Sequence, residues 1–138
     1  MSEKWKQVNG FERYEVSNMG RVKRIAHIRR DKRGRISMIK EVILKPETVH
    51  NGYLRVGLYR NGKLYHKRIA TLVAEAFLGQ KPSDKEIDHI DGNKANNVVQ
   101  NLRYTTHREN INNPITVKKR RLYWDAYWKK KNPTCYLR

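Results

Sequence analysis

The sequence predicts an α+β fold of short antiparallel hairpins and a few short helices. Three observations carry that expectation. Residues 53–58 and 63–68 alternate apolar and polar positions around Asn61-Gly62, the strongest short-range hairpin signal. Apolar positions then switch to helical spacing, with Ile69, Leu72, Val73, Ala76 and Phe77 on one stripe. Finally, residues 86–113 read as strand, loop, strand and helix, in that order.

Composition bounds what such a fold can be. At 138 residues the chain is the size of one ordinary domain with appendages, and 38% hydrophobic content implies a modest core. Thirty-one Lys and Arg against 13 Asp and Glu leave a net charge of +18. Charge of that sign favours a polyanionic partner, through steering and counterion release. Nucleic acid is the first candidate and an anionic membrane surface the second. The single cysteine, Cys135, excludes an internal disulfide framework and any multi-cysteine zinc site. With no apolar leader at the start and no bilayer-length stretch, a soluble cytoplasmic protein is expected.

In residues 5–25, Ser17-Asn-Met-Gly20 is a turn between Tyr14, Val16 and Val22, Ile25, so a short hairpin is expected. Its return strand carries Arg21, Lys23 and Arg24. Residues 26–40 are basic, and Arg29, Arg30 and Arg33 are read as part of a flexible arm; a solvated charged loop is the plainer alternative. The run Val42-Ile43-Leu44 ends at Lys45-Pro46. In the Asn61-Gly62 hairpin, Leu54, Val56 and Leu58 share one face, and the basic side chains include Arg55 and Lys67. Gly79 stops the helix that begins at Ile69. His66 is read as a strand-surface residue rather than a ligand.

Residues 86–90 are expected to form a strand ended by Asp91-Gly92-Asn93, and 101–105 the returning strand, which carries Arg103. Thr106 to Glu109 is a capping box, so a helix starts there and Pro114 closes it. Asn101 follows His89 by twelve positions and Asn110 follows Asn101 by nine. Phosphodiester hydrolysis needs a base to activate water and a cation to take up developing charge. An imidazole at His89 suits the first role, since unperturbed imidazole titrates near neutrality. Asp88 and Asn110 offer hard oxygen donors suited to Mg²⁺ or Mn²⁺ rather than Zn²⁺. Asn101, on the facing strand, is placed to hold the His89 ring. The plainer alternative is a turn rich in Asx residues. Asn96 and Asn97 are read as satisfying loop backbone, and His107 as a non-ligand.

Asp88-His89, Asn101 and Asn110 resemble the catalytic pattern of the HNH endonucleases, with Asn at the last position as in phage nicking homing enzymes. Trp5, Gly10-Phe11-Glu12, Tyr14 through Asn18 and Gly20-Arg21-Val22 resemble the short module often fused ahead of such nucleases. The resemblance covers about residues 5–113. It implies a ββα-metal core at 41–114 behind an N-terminal DNA-binding module and basic arm at 1–40; the basic aromatic tail at 115–138 lies outside it. It further implies one Mg²⁺ or Mn²⁺ held by Asp88 and Asn110, His89 as base, Asn101 positioning it, and double-stranded DNA as partner. No membrane and no small-molecule cofactor are expected. The compartment would be a bacterial host's cytoplasm if the chain is phage-encoded. Monomer and homodimer stay open, as do nicking and double-strand cleavage.

Residues 115–138 hold eight basic residues and one acid. Leu122, Tyr123, Ala126 and Tyr127 form a helical stripe, with Lys118, Lys119, Arg120 and Arg121 ahead of it. A helix laid on DNA and a helix docked by its aromatics are both compatible with this pattern, as is a membrane-surface helix. The alternative to an endonuclease is a non-catalytic nucleic-acid-binding protein that uses the same basic surfaces.

Overall fold

The computed structural model describes residues 1–133. The N-terminal segment is a small antiparallel sheet. β1 (Trp5–Val8) pairs with β2 (Phe11–Ser17), which pairs with β3 (Val22–Arg24) across the turn at 18–21. Ser17 makes that turn: its hydroxyl accepts hydrogen bonds from the Met19 and Arg21 amides at 3.2 and 3.1 Å. Gly20 supplies the positive φ of 82°.

The basic segment expected to be a flexible arm is instead a hairpin, β4 (His27–Arg30) with β5 (Ile36–Ile39). Asp31 closes it, because its carboxylate accepts from the Arg33 and Arg35 amides and from the Arg35 side chain at 2.8–2.9 Å. Such an Asx turn with Gly34 at φ 78° specifies a register that composition alone conceals. Ile28, Ile36 and Met38 are each more than 60% exposed, so the ribbon stands away from the core. β6 (Val42–Ile43) then returns to pair with β3, and the boundary expected at residue 40 falls inside this sheet.

β7 (Glu47–Thr48), β8 (Leu54–Arg60) and β9 (Lys63–Arg68) form a three-stranded sheet. Asn61 and Gly62 both take positive φ, as the two-residue turn between β8 and β9 requires. Helix α1 (Ile69–Phe77) follows directly, with Ile69, Leu72 and Val73 buried as its spacing predicts. These side chains meet Val8, Phe11, Tyr14, Val16 and Val22 from the first sheet, Val56 and Leu58 from β8, and Leu102. The expected N-terminal and nuclease segments thus share one hydrophobic core. Tyr14 ties them further by accepting a hydrogen bond from the Tyr59 amide at 3.0 Å.

The last unit is β10 (Lys85–His89), β11 (Leu102–Thr106) and α2 (His107–Ile111), followed by α3 (Pro114–Lys131). Pro114 does not merely end a helix: α2 stops at Ile111, and Pro114 opens α3 from the first helical turn, where a missing amide costs nothing. Asn113 caps α3 by accepting from the Ile115 amide at 2.9 Å. No residue of α3 is buried, so of the alternatives for the tail the helix docked by its aromatics does not occur. Tyr123, Trp124, Tyr127 and Trp128 instead pack edge-on and stacked on one another. Contact with the rest of the chain is near the start of α3, where Lys119 donates to the Gly92 carbonyl at 2.7 Å. Cys135 lies outside the described residues.

A Cβ on Gly20 would fall 3.1 Å from the Asn97 backbone, in a conformation side chains rarely adopt. Gly20→Ala is expected to lower stability by about 1–2 kcal/mol in a urea melt.

Candidate active site

Antiparallel pairing sets His89 opposite Leu102 and Asp88 opposite Arg103 at the open end of β10–β11. Period-two alternation then puts Glu86 and Asp88 on one face of β10, and Ile87 and His89 on the other. Beyond the strands, residues 90–101 fold back over the pair. The Gly92 amide donates to the His89 carbonyl at 2.8 Å with φ 68° at Gly92, so the chain reverses immediately after His89.

His89 is 5% exposed. Its Nε2 lies 2.9 Å from Oδ1 of Asn97, itself 4% exposed. The Asn97 amide nitrogen points to the Ala95 carbonyl at 3.5 Å, which turns the amide oxygen toward the ring. In the neutral ring Nε2 therefore carries the hydrogen and donates it, leaving the Nδ1 lone pair free of any hydrogen bond among the described residues.

This corrects the expected role of Asn101. Its Oδ1 accepts from the Asp91 amide at 3.0 Å, while its Nδ2 donates to Asp91 Oδ1 at 2.9 Å and to the Asn96 carbonyl at 2.8 Å. Asn101 sits one position before β11, at the mouth of the loop, so its short side chain reaches the loop and not the ring. The Asn96 side chain donates not to loop backbone but to the other oxygen of Asp91, at 2.8 Å. Asn97 does reach loop backbone, through the Ala95 carbonyl, and its oxygen also meets His89. The N-terminal module supports it: Gly20 packs against Asn97, and Val99 donates to the Asn18 carbonyl at 2.9 Å.

Helix α2 and the cap of α3 are anchored to β10, each by one amide-to-carboxylate bond. Asn110 Nδ2 donates to Glu86 at 3.0 Å, and Asn113 Nδ2 donates to Asp88 at 3.3 Å. Asp88 is also ion-paired with Arg103 at 2.7 Å. Glu86 further meets Nδ1 of His107 at 2.9 Å. Asn110 and, more weakly, His107 hold the Glu86 carboxyl below its ordinary range. The capping box is present as the sequence predicts, with the Thr106 hydroxyl accepting from the Glu109 amide at 3.2 Å. The Thr106 amide, then the Thr106 and Thr105 hydroxyls, lower the Glu109 carboxyl to about 2.

A cleft of about 330 Å³ brings His89, Glu86 and Asn110 together with Tyr53, Arg68, Lys81 and Lys85. Tyr53 stands 6.1 Å from the His89 ring, and Arg68 and Lys94 lie over the Tyr53 ring at 4.2 and 4.6 Å. Asp88 does not line this cleft. The carboxylate that meets Asn110 is Glu86, two positions earlier on the same strand face, a spacing visible in the sequence though not singled out there. Among the described residues no three His, Cys, Asp or Glu side chains gather as a metal cluster. The hard-oxygen pair fits a divalent ion in donor chemistry: Oδ1 of Asp88 and Oδ1 of Asn110 accept no hydrogen bond among the described residues. Mg²⁺ commonly takes only one or two protein carboxylates beside water and phosphate.

Of the basic residues read as DNA contacts, several are engaged within the chain. Arg21 pairs with Glu3, Lys23 with Glu15 and Glu41, Arg55 with Glu47, and Arg103 with Asp88. Lys67 lies over the Phe11 ring, and the Arg24 guanidinium has a buried Nε without a partner. Lys119 and Arg120 donate to carbonyls. Arg29, Arg30 and Arg33 on the β4–β5 ribbon, and Lys118 and Arg121 on α3, are exposed.

Two strands, a folded-back loop and a capped helix, presenting an imidazole and an amide to one basic cleft, define the ββα-metal class of nuclease core. Residues 68–111 match the model of the HNH endonucleases, and residues 3–59 match the NUMOD4 motif. The chain belongs to the HNH endonuclease family, with a NUMOD4 module ahead of the HNH unit. It is 35% identical over 113 residues to DNA endonuclease I-HmuI of Bacillus phage SP01, covering 81% of this chain and 58% of that protein. It is 31% identical over 116 residues to the uncharacterized HNH endonuclease L245 of Acanthamoeba polyphaga mimivirus, covering 84% of this chain and 31% of that protein. A solved structure described as DNA binding and cleavage by the HNH homing endonuclease I-HmuI superposes with a TM-score of 0.66 at 34% identity, over 83% of this chain and 59% of that one. The chain thus spans less than three-fifths of each of these relatives.

The lowered carboxyls make the site's frame sensitive to acid. A folded value below the ordinary 4.5 means that the contribution of Glu109 is complete above 4.5 and is lost as pH falls toward about 2. Thermal unfolding is expected to shift to lower temperature through that window, and less steeply in Glu109→Gln than in the parent.

Proposed function

We propose that the chain is a metal-dependent endonuclease that hydrolyses phosphodiester bonds in double-stranded DNA, of the homing type and phage-encoded. The observation that carries the reading is the Asn97–His89 hydrogen bond, which fixes the ring and leaves Nδ1 as a base. The exposed cations of the β4–β5 ribbon and of α3 support a duplex partner. The relatives' names support the homing and viral assignments.

In this reading Nδ1 of His89 takes a proton from a water molecule as its oxygen attacks phosphorus. The bond from phosphorus to the 3′ oxygen breaks, leaving a 5′-phosphate and a 3′-hydroxyl whose proton comes from solvent. The charge that His89 gains is spread through Nε2–H to the Asn97 oxygen. Asp88 and Asn110 would hold one Mg²⁺ or Mn²⁺, which when bound supplies charge stabilisation at the leaving oxygen. Glu86 positions Asn110: a carboxylate can only accept, so it fixes the amide nitrogen and turns Oδ1 outward. Asn101 acts by closing the loop that carries Asn97.

A second reading, a DNA-binding protein without catalysis, is favoured by one observation. Asp88 is already neutralised by Arg103, which competes with any cation there. The two readings separate in a plasmid assay. His89→Ala is expected to abolish nicking of supercoiled plasmid in Mg²⁺ or Mn²⁺ and to retain DNA affinity; full activity in that variant would remove His89 as the base. Deleting residues 115–138 is expected to weaken binding and flatten its dependence on salt, by about 0.9 in logarithmic slope for each phosphate no longer neutralised. An unchanged slope would assign α3 to another partner.

A further inference from the structure

A second cleft adjoins the one that holds His89. It measures about 440 Å³ and is lined by Val49, His50, Asn51, Arg55, His66 and Arg68. The two clefts share Arg68. Cross-strand pairing places Arg55 opposite Arg68 and His66 opposite Gly57. Alternation therefore sets Arg55, His66 and Arg68 on the outer face of the β8–β9 hairpin, away from Val56 and Leu58 in the core. His50 joins them from a short turn that reverses the chain with φ of 71° at Asn51 and 83° at Gly52.

The charges in this cleft are poorly matched internally. Glu47 is the one acid at its edge, and it is occupied by Arg55 through two bonds of 2.8 and 3.1 Å. Arg55 holds that carboxyl below its ordinary range, with His66 adding to the effect. Among the described residues, no carboxylate pairs with Arg68, and neither His50 nor His66 has a hydrogen-bond partner. The Arg68 guanidinium lies over Tyr53, 4.2 Å from the ring centroid, and is held there without using its N–H groups. Two imidazoles and an arginine with unspent donors therefore line one concave surface. It is continuous through Arg68 with the cleft where a phosphodiester would meet His89.

We propose that this cleft is a phosphate subsite, which takes a backbone phosphate of the same DNA strand next to the phosphodiester presented to His89. His50, His66 and Arg68 donate to its oxygens, beside Arg55, whose guanidinium is taken by Glu47. The proposal rests on the reading that the chain binds DNA, not on its cutting DNA. No local pattern marks the site, since His50 and His66 lie sixteen positions apart in separate elements.

The test uses the full chain with His89→Ala as background, in EDTA, so that binding is read without cleavage. Anisotropy titrations of a fluorescent duplex of about 30 base pairs are made over a range of KCl concentrations. Arg68→Gln and the pair His50→Gln with His66→Gln are compared with Lys63→Gln, which removes a cation from the hairpin's other face. Arg68→Gln is expected to weaken binding roughly tenfold, as for the removal of one charge-assisted hydrogen bond, and to reduce the salt slope by about one. The histidine pair is expected to weaken binding several-fold more than Lys63→Gln, because both rings line the cleft and Lys63 does not. Losses in Arg68→Gln and in the histidine pair no larger than in Lys63→Gln would overturn the subsite. Melting temperatures equal to the parent's confirm that the outward-facing substitutions leave the fold intact. If the wild type binds DNA but never cuts it, the nuclease reading fails and this test stands.

Discussion

The hydrogen bond from His89 to Asn97 is the constraint around which the rest of the chain is arranged. A buried imidazole can present two tautomers and rotate about two bonds, and a buried amide oxygen at 2.9 Å leaves it one of each. That oxygen is held in turn by structure on both sides. Asp91, Asn96 and Asn101 lock the loop from within, and the turn of the NUMOD4 module presses on it from outside through Gly20 and the Asn18 carbonyl. The N-terminal module is therefore part of the site's frame and not only an appended grip.

A second frame fixes the helix. Glu86 and Asp88, two apart on a strand, accept from Asn110 and Asn113, three apart along the chain where α2 gives way to α3. Two amide-to-carboxylate bonds set α2 and the cap of α3 on β10, and the capping box sets where α2 begins. The bond to Asn110 also decides which end of its amide faces outward. A structural contact and a chemical requirement are met by one interaction. The Arg103–Asp88 ion pair works differently: it satisfies a buried carboxylate but sets a resident cation beside the group that a metal would need.

Much of this was legible from the residues. The Asn61-Gly62 hairpin, the α1 stripe, the Thr106–Glu109 cap and the strand–loop–strand–helix order are local patterns, each set by short-range sterics or hydrogen bonding. His89 and Asn110 were singled out from the residues and line one cleft, whereas Asp88, paired with Asn110 in that reading, does not. What escaped depends on contacts between distant segments. Nothing in Asn96-Asn97 says that the second amide rather than Asn101 reaches the ring, because that follows from how far the loop folds back. The β4–β5 ribbon was hidden by its charge, since its register depends on Asp31 capturing its own turn. The tail's helix was visible, but whether its aromatics are buried is a tertiary fact, and they are not. Pro114 was ambiguous by nature, as proline both ends helices and begins them.

Hydrolysis of DNA by His89 with the help of one divalent ion has a plain readout: supercoiled plasmid incubated with the wild-type chain in Mg²⁺ or in EDTA, and the ends mapped. Breaks are expected only in Mg²⁺, with 5′-phosphate and 3′-hydroxyl ends that ligase reseals. Cleavage that persists in EDTA, ends that ligase cannot seal, or a plasmid bound and left intact in Mg²⁺ would rule that chemistry out.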